Sequence, residues 1–460
     1  LIKVTIQDGG LGIRRPSTSR LQAKVGVSSA GVANQVVRLR DPNQIAAQFG
    51  TGPLVTALGD SFAAGAQDLL VVRAAGDVAG TVSTVTSTKT GGGDMSVSGN
   101  PLDDYQVIVE ILSTGGLNAA TFRYSLDGGD TWSVKQTVPT GGTFAIPNSG
   151  LTLTFTAGAQ PDESFKAGDR YEFTTTAPTA SVESLTAALD ALLQSSEEFE
   201  LVHIVGPTTS AVWTMLDTRA AALAEAGRYL HFVAETRGPA GGETAADWAN
   251  AMVEETAAFT SRRVSLVAGR AEVTDLITQR IQERNIAGIY TGRVASIAEH
   301  RSPAEVALGP LPNVVRLAPA GITAEDLAKL DAAQLITLKT ILGLPGFYIN
   351  EGHVKAPDGS DYQTVEVRRI MDRACRLVRQ AALRYDHAEG TPEGVAALEA
   401  QLTAPLENEM AGQILNVRVV IPDQDILTTG KLVARIRITP IPIMREIEID
   451  IGLEPLQQGV

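Results

Sequence analysis

Between about Gly76 and Pro178 the helical spacing of apolar residues disappears from a chain that otherwise alternates short apolar strands with amphipathic helices. Before this stretch come the strand-like run Leu21 to Val27, helices opened by Asp41-Pro42 and by Thr51-Gly52-Pro53, and the apolar strand Asp68 to Arg73. After it come helix Ser181 to Leu193, strand Leu201 to Val205, helix Ser210 to Ala226, strand Tyr229 to Ala234, helix Glu243 to Thr260, strand Arg263 to Val267 and helix Val273 to Arg284. Alternation of this kind predicts a parallel sheet with helices on both faces. Residues 20–75 and 180–290 are therefore expected to form one α/β domain, split by an all-β module at 76–179. Gly, Ser and Thr dominate that module, and its strands Tyr105 to Leu112, Ala120 to Ser125, Leu151 to Thr156 and Arg170 to Thr175 are spaced as in a small sandwich.

Residues 291–444 read as an α+β domain, with helices at Val294 to His300, Thr323 to Lys329 and Gln363 to Tyr385, and strands at Phe347 to Ile349, Val417 to Ile421 and Leu432 to Ile438. Pro440 and Pro442 then break the ladder. Both ends of the chain alternate apolar and polar residues. Ile2, Val4 and Ile6 share one face of a strand in an arm at 1–19, and Ile447, Ile449 and Ile451 share one face in an arm at 445–460. Neither strand has a local hairpin partner. Unpaired strands of this kind commonly add to the sheet of a neighbouring subunit.

A chain of 460 residues with 38 basic and 52 acidic side chains carries a formal charge of −14, which argues against a general nucleic-acid coat. The single cysteine, Cys375, excludes a disulfide framework within the chain and reads as a core residue. No stretch approaches the length of a membrane span, and no signal-peptide pattern opens the sequence, so a cytoplasmic origin is expected.

Few motifs suggest chemistry. Ser125-Leu126-Asp127-Gly128-Gly129-Asp130-Thr131-Trp132 fits the Asp-box pattern, which is a hairpin turn and not a catalytic device; a single copy gives no propeller. Gly59-Asp60-Ser61 has the look of an esterase nucleophile block, but Ser61 falls within an apolar-periodic helix and no suitably spaced Asp and His partner follows. The histidines at 203, 231, 300, 353 and 387 are scattered without ligand spacing, and Gly91-Gly92-Gly93 lacks the strand and helix of a phosphate cradle. On the helix 363–385, Arg368, Arg369, Arg373, Arg376, Arg379 and Arg384 fall on one half, opposite Ile370, Ala374, Leu377, Val378 and Ala381. That cationic stripe is expected either to be solvated or to dock an acidic partner.

The segments Tyr290 to Ile297, Gly343 to Asn350 and Gln363 to Asp372, with the closing strands Lys431 to Pro442 and Met444 to Leu453, together resemble the tail sheath proteins of contractile phage tails and related injection systems. The resemblance implies an α/β fold: a split subtilisin-like domain with the inserted β module, an α+β C-terminal sheath domain and strand arms at both termini. It implies a structural, non-enzymatic subunit without cofactor or metal, polymerising with itself as stacked rings around a tail tube protein. Baseplate and tail terminator proteins are the further partners implied, with no direct nucleic-acid contact and no membrane insertion. Location in the virion's tail sheath after assembly in the host cytoplasm follows, with contraction driving the tube through the cell envelope. In that setting Ile2, Val4, Ile6, Ile447, Ile449 and Ile451 would be inter-subunit strands, and Arg368, Arg369, Arg373, Arg376 and Arg379 would face the tube. A glycan- or ester-hydrolysing tail component is the alternative, and a plain α/β ligand-binding protein a third.

Overall fold

The central strand Gln22–Gly26 is buried at every position, so it must lie inside a sheet covered on both faces. The computed structural model describes residues 21–452; the N-terminal arm with Ile2, Val4 and Ile6 lies outside them. Gln22–Gly26 pairs in parallel with Leu201–Pro207 on one side and Leu69–Arg73 on the other. His231–Glu235, Val264–Val267 and Leu335–Ile336 extend the sheet in parallel beyond Leu201–Pro207, and Val36–Leu39 closes the opposite edge antiparallel, giving seven strands. Strands from before and after the 76–179 stretch thus share one sheet. Its outermost strand, Leu335–Ile336, comes from beyond residue 290.

Helix Val182–Gln194 covers one face because Leu185, Ala188, Leu189 and Leu192 recur at helical spacing, and Ser181 caps it by accepting from the Ser184 amide. Thr244 caps Ala245–Thr256 in the same way, and Trp248, Ala249 and Met252 enter the same core. On the opposite face, helices Pro53–Ala63 and Ala287–Ser296 pack almost backbone to backbone. A Cβ on Gly292 would stand 2.5 Å from the Ser61 carbonyl oxygen, a separation that only glycine permits.

The residues expected to form a helix at 273–284 instead form a hairpin. Arg270–Thr274 pairs antiparallel with Ile281–Asn285, and Val314–Ala318 adds a third strand. Turn chemistry overrides the apolar spacing here: the Asp275 carboxylate accepts from the amides of Ile277 and Thr278, and Gln279 takes a left-handed conformation at φ 59°.

The inserted stretch forms a three-stranded and a five-stranded sheet around Phe122, Leu153, Phe155, Phe165 and Tyr171. Its entry and exit are tied together, since Val78 and Thr179 exchange both backbone hydrogen bonds at 3.1 and 2.9 Å.

The chain divides into two compact units, residues 1–376 and 377–460. Within the second, helix Pro392–Glu409 starts at the Thr391 cap and buries Leu402 and Leu406, and an antiparallel hairpin joins Ile414–Val420 to Arg435–Pro440. That helix is absent from the sequence-based expectation. Pro405 within it and its weak apolar periodicity hide it.

Candidate assembly surfaces and the buried polar layer

The middle of the parallel sheet is polar. Lys24, wholly buried between Ala23 and Val25, places Nζ 2.8 Å from His203 Nδ1 and 2.9 Å from Thr291 Oγ1. His203 Nε2 lies 2.9 Å from Glu235 Oε1. With Lys24 donating to Nδ1, the network assigns the proton to Nε2, which donates to the carboxylate. Gln22 donates to the Thr291 carbonyl at 2.7 Å, so the strand is bound to helix Ala287–Ser296 at two successive inward positions. Burial pulls the Lys24 ammonium down to about 7, against the opposing pull of Glu235 and Asp60. Burial likewise pushes Glu235 up to about 7 and holds His203 well below its ordinary range.

Beside this layer Asp60 grips Arg284 through two hydrogen bonds of 2.9 and 2.7 Å. Ser61, completely buried, donates to the Gly288 carbonyl at 2.6 Å. The Gly59-Asp60-Ser61 block therefore joins two helices and offers no accessible hydroxyl. Among the described residues no group of His, Cys, Asp and Glu is arranged to hold a metal ion.

Five arginines expected to face the tube are divided by helix Val365–Ala382. Arg368 and Arg369 point inward, which corrects the expectation of one exposed stripe. Arg369 Nη2 meets Glu200 Oε1 at 2.8 Å, and Arg376 reaches the second oxygen of Glu200 at 3.9 Å. Arg368 pairs with Asp372, which also receives Arg263 at 3.1 Å, and Arg373 meets Glu299 at 3.0 Å. Glu200 and Glu299 from distant parts of the sequence, and Asp372 one turn along the same helix, hold these arginines; burial raises the Glu200 carboxyl, offset by Arg369 and Arg376. Arg379 alone of the five is exposed.

The Asp-box residues build a turn. Asp127 accepts from the Thr131 amide at 2.9 Å and from its hydroxyl at 2.6 Å, while the Gly129 amide donates to Ser125 Oγ at 2.8 Å. Trp132 lies under the Arg123 guanidinium at 4.1 Å.

In the second unit the hairpin register sets two faces. Val417 opposes Ile438 and Val419 opposes Ile436 on one; Arg418 opposes Arg437 and Val420 opposes Arg435 on the other. Past Pro440, residues 441–452 enter no ladder, and Ile447, Ile449 and Ile451 are 71, 75 and 88 % exposed. Lys24, Glu200 and Glu235 are absent from the sequence-based candidates. A lysine flanked by apolar residues in a run otherwise fit for a core strand was the available signal for the first.

The DUF2586 N-terminal domain family matches residues 1–353, and its C-terminal domain matches residues 361–456. No curated protein matches the sequence. Among solved structures, the sheath tail protein of Desulfitobacterium hafniense is 12 % identical with a TM-score of 0.51, covering 96 % of this chain and 100 % of that one. The sheath complex of the PVC extracellular contractile injection system, in its contracted state, gives 11 % identity and a TM-score of 0.56 over 100 and 99 % of the two chains. A chain of the anti-feeding prophage baseplate, also contracted, gives 12 % and 0.58 over 100 and 98 %. The fold of this chain is that of these sheath proteins.

Proposed function

Since the chain belongs to the DUF2586 family and shares its fold with sheath tail proteins, we infer that it is a structural subunit of a contractile sheath. The observation that carries this is likeness over nearly the whole of both chains, which leaves no separate part of this chain to account for. Subunits polymerise as stacked rings around an inner tail tube, held extended by tube, baseplate and terminator contacts. Release at the baseplate lets them repack into a wider, lower-energy lattice that drives the tube through an envelope for genome delivery. The split α/β domain, read as a subtilisin-type block, serves as the rigid body; its charged interior is closed to solvent, as suits a part that moves without deforming. Arg379 remains a candidate for the tube, whereas Arg368 and Arg369 serve the fold.

The exposed alternation at 446–451 supports assembly by strand addition between subunits, with the arm at 1–19 as a second donor. Deleting residues 445–460 tests it. The truncated protein should stay folded and soluble yet form no tubes under conditions in which the full chain does. Ordered tubes from the truncation would overturn strand addition by this arm.

A further inference from the structure

Arg418 and Arg437 are direct cross-strand partners on a hairpin of two strands. Like charges placed opposite each other weaken a sheet, and Arg435 adds a third guanidinium two residues along the same face. All three are exposed, and none makes an ion pair among the described residues. The opposite face carries Val417, Val419, Ile436 and Ile438, partly or fully buried within the same unit. The hairpin thus has one basic and one apolar face.

The segment 446–451 has the complementary pattern. Glu446, Glu448 and Asp450 fall on one side and Ile447, Ile449 and Ile451 on the other, all exposed. A strand laid along a hairpin edge sends alternate side chains to the two faces. In one parity its acids meet the arginines and its isoleucines extend the apolar face; a slip of one residue puts three carboxylates on the apolar face.

Resting on the strand addition put forward above, we propose that Arg418, Arg435 and Arg437 are the specificity determinants that admit residues 446–451 of a second copy of this chain and fix their register. The arginine pair weakens the isolated hairpin and is relieved only when the acidic strand arrives. Neutralisation across the interface selects this tail over strands of other charge pattern. The contact is exposed and charged, so added salt weakens it.

Charge reversal on separate chains tests this. One variant carries Arg435→Glu and Arg437→Glu, the other Glu446→Arg and Glu448→Arg; circular dichroism and gel filtration confirm folding, and Arg435→Gln with Arg437→Gln replaces the first if it misfolds. Tube formation is followed by light scattering and negative-stain microscopy. Each variant alone should raise the critical concentration at least about tenfold, because like charges then face each other. An equal mixture of the two reversals should restore tubes, since each tail meets a complementary hairpin only on another chain. Variants that polymerise like the unmodified chain overturn the proposal while leaving the sheath function standing. A silent mixture, with tubes recovered only when all four changes share one chain, overturns it in favour of pairing within a subunit. A mixture and a fourfold variant that are both silent overturn the charge pairing. Failure of the unmodified chain to polymerise removes the sheath function itself and the proposal with it.

Discussion

The ammonium of Lys24 lies 2.8 Å from Nδ1 of His203 on the neighbouring parallel strand, with both side chains wholly removed from water. The interior of this sheet is thus built on a hydrogen-bonded chain running from Thr291 through Lys24 and His203 to Glu235. Such a layer makes the fold sensitive to protons.

The sign follows from the shifts. His203 and His231 stay neutral in the fold, His231 pulled down to about 3 by burial and nearby arginines, whereas both take a proton near pH 6.5 once unfolded. Each therefore costs stability as pH falls below 6.5. Glu235, raised to about 7, acts oppositely between its unfolded value near 4.5 and 7, because the folded chain holds a proton the unfolded one has lost. Asp103, also raised to about 7, and the buried carboxyls of Asp60, Asp104 and Glu200 act in the same opposing sense as Glu235, so the share of each histidine in the pH slope, approaching about 1.4 kcal/mol per pH unit from 6.5 toward 5, is read by difference against a histidine variant. Urea unfolding at pH 7, 6 and 5 reads this slope. His231→Asn should lower it by about one proton's worth; an unchanged slope would contradict the assignment.

Glu200 compensates two guanidinium groups, Arg369 and Arg376. Glu200→Gln leaves buried positive charge without its counter-ion and should destabilise the chain by about 3 kcal/mol in urea unfolding, as broken buried pairs do. A change within about 0.5 kcal/mol, the range of ordinary surface substitutions, would mean that these arginines are solvated after all.

Gly292 is fixed by the approach of two helices, since an added Cβ would stand 2.5 Å from the Ser61 carbonyl oxygen and 2.6 Å from its Cα. Gly292→Ala should cost about 1–3 kcal/mol through forced separation of helices Pro53–Ala63 and Ala287–Ser296. Gly241→Ala, where an added Cβ meets nothing within 4 Å, is the control and should leave the thermal midpoint unchanged.

The alternation of strands and helices was legible because a strand such as Val264–Val267, buried at every position, must be a continuous apolar run, and a helix such as Val182–Gln194 must repeat at 3.6 residues. The hairpin at 270–285 was not, because its apolar spacing suits a helix equally and the Asp275 turn decides between them. The helical wheel correctly separated the arginines of Val365–Ala382 from its apolar residues. It could not tell that Arg368 and Arg369 are buried along with Ile370 and Ala374, since Glu200 and Glu299 become neighbours of the helix only through the fold, even though Asp372 stands one turn from Arg368 in the sequence. The same limit hid Lys24, whose His203 and Thr291 partners lie 179 and 267 residues away.

Electron cryomicroscopy of the purified full-length chain, with helical reconstruction of any polymer, tests the sheath assignment most directly. Hollow tubes of stacked rings are predicted, with residues 446–451 forming a strand in the hairpin sheet of a neighbouring subunit, isoleucines beside Ile436 and Ile438 and acids beside Arg435 and Arg437. Particles that stay single subunits at high concentration and in the presence of tube protein, with 446–451 still unpaired, would contradict it.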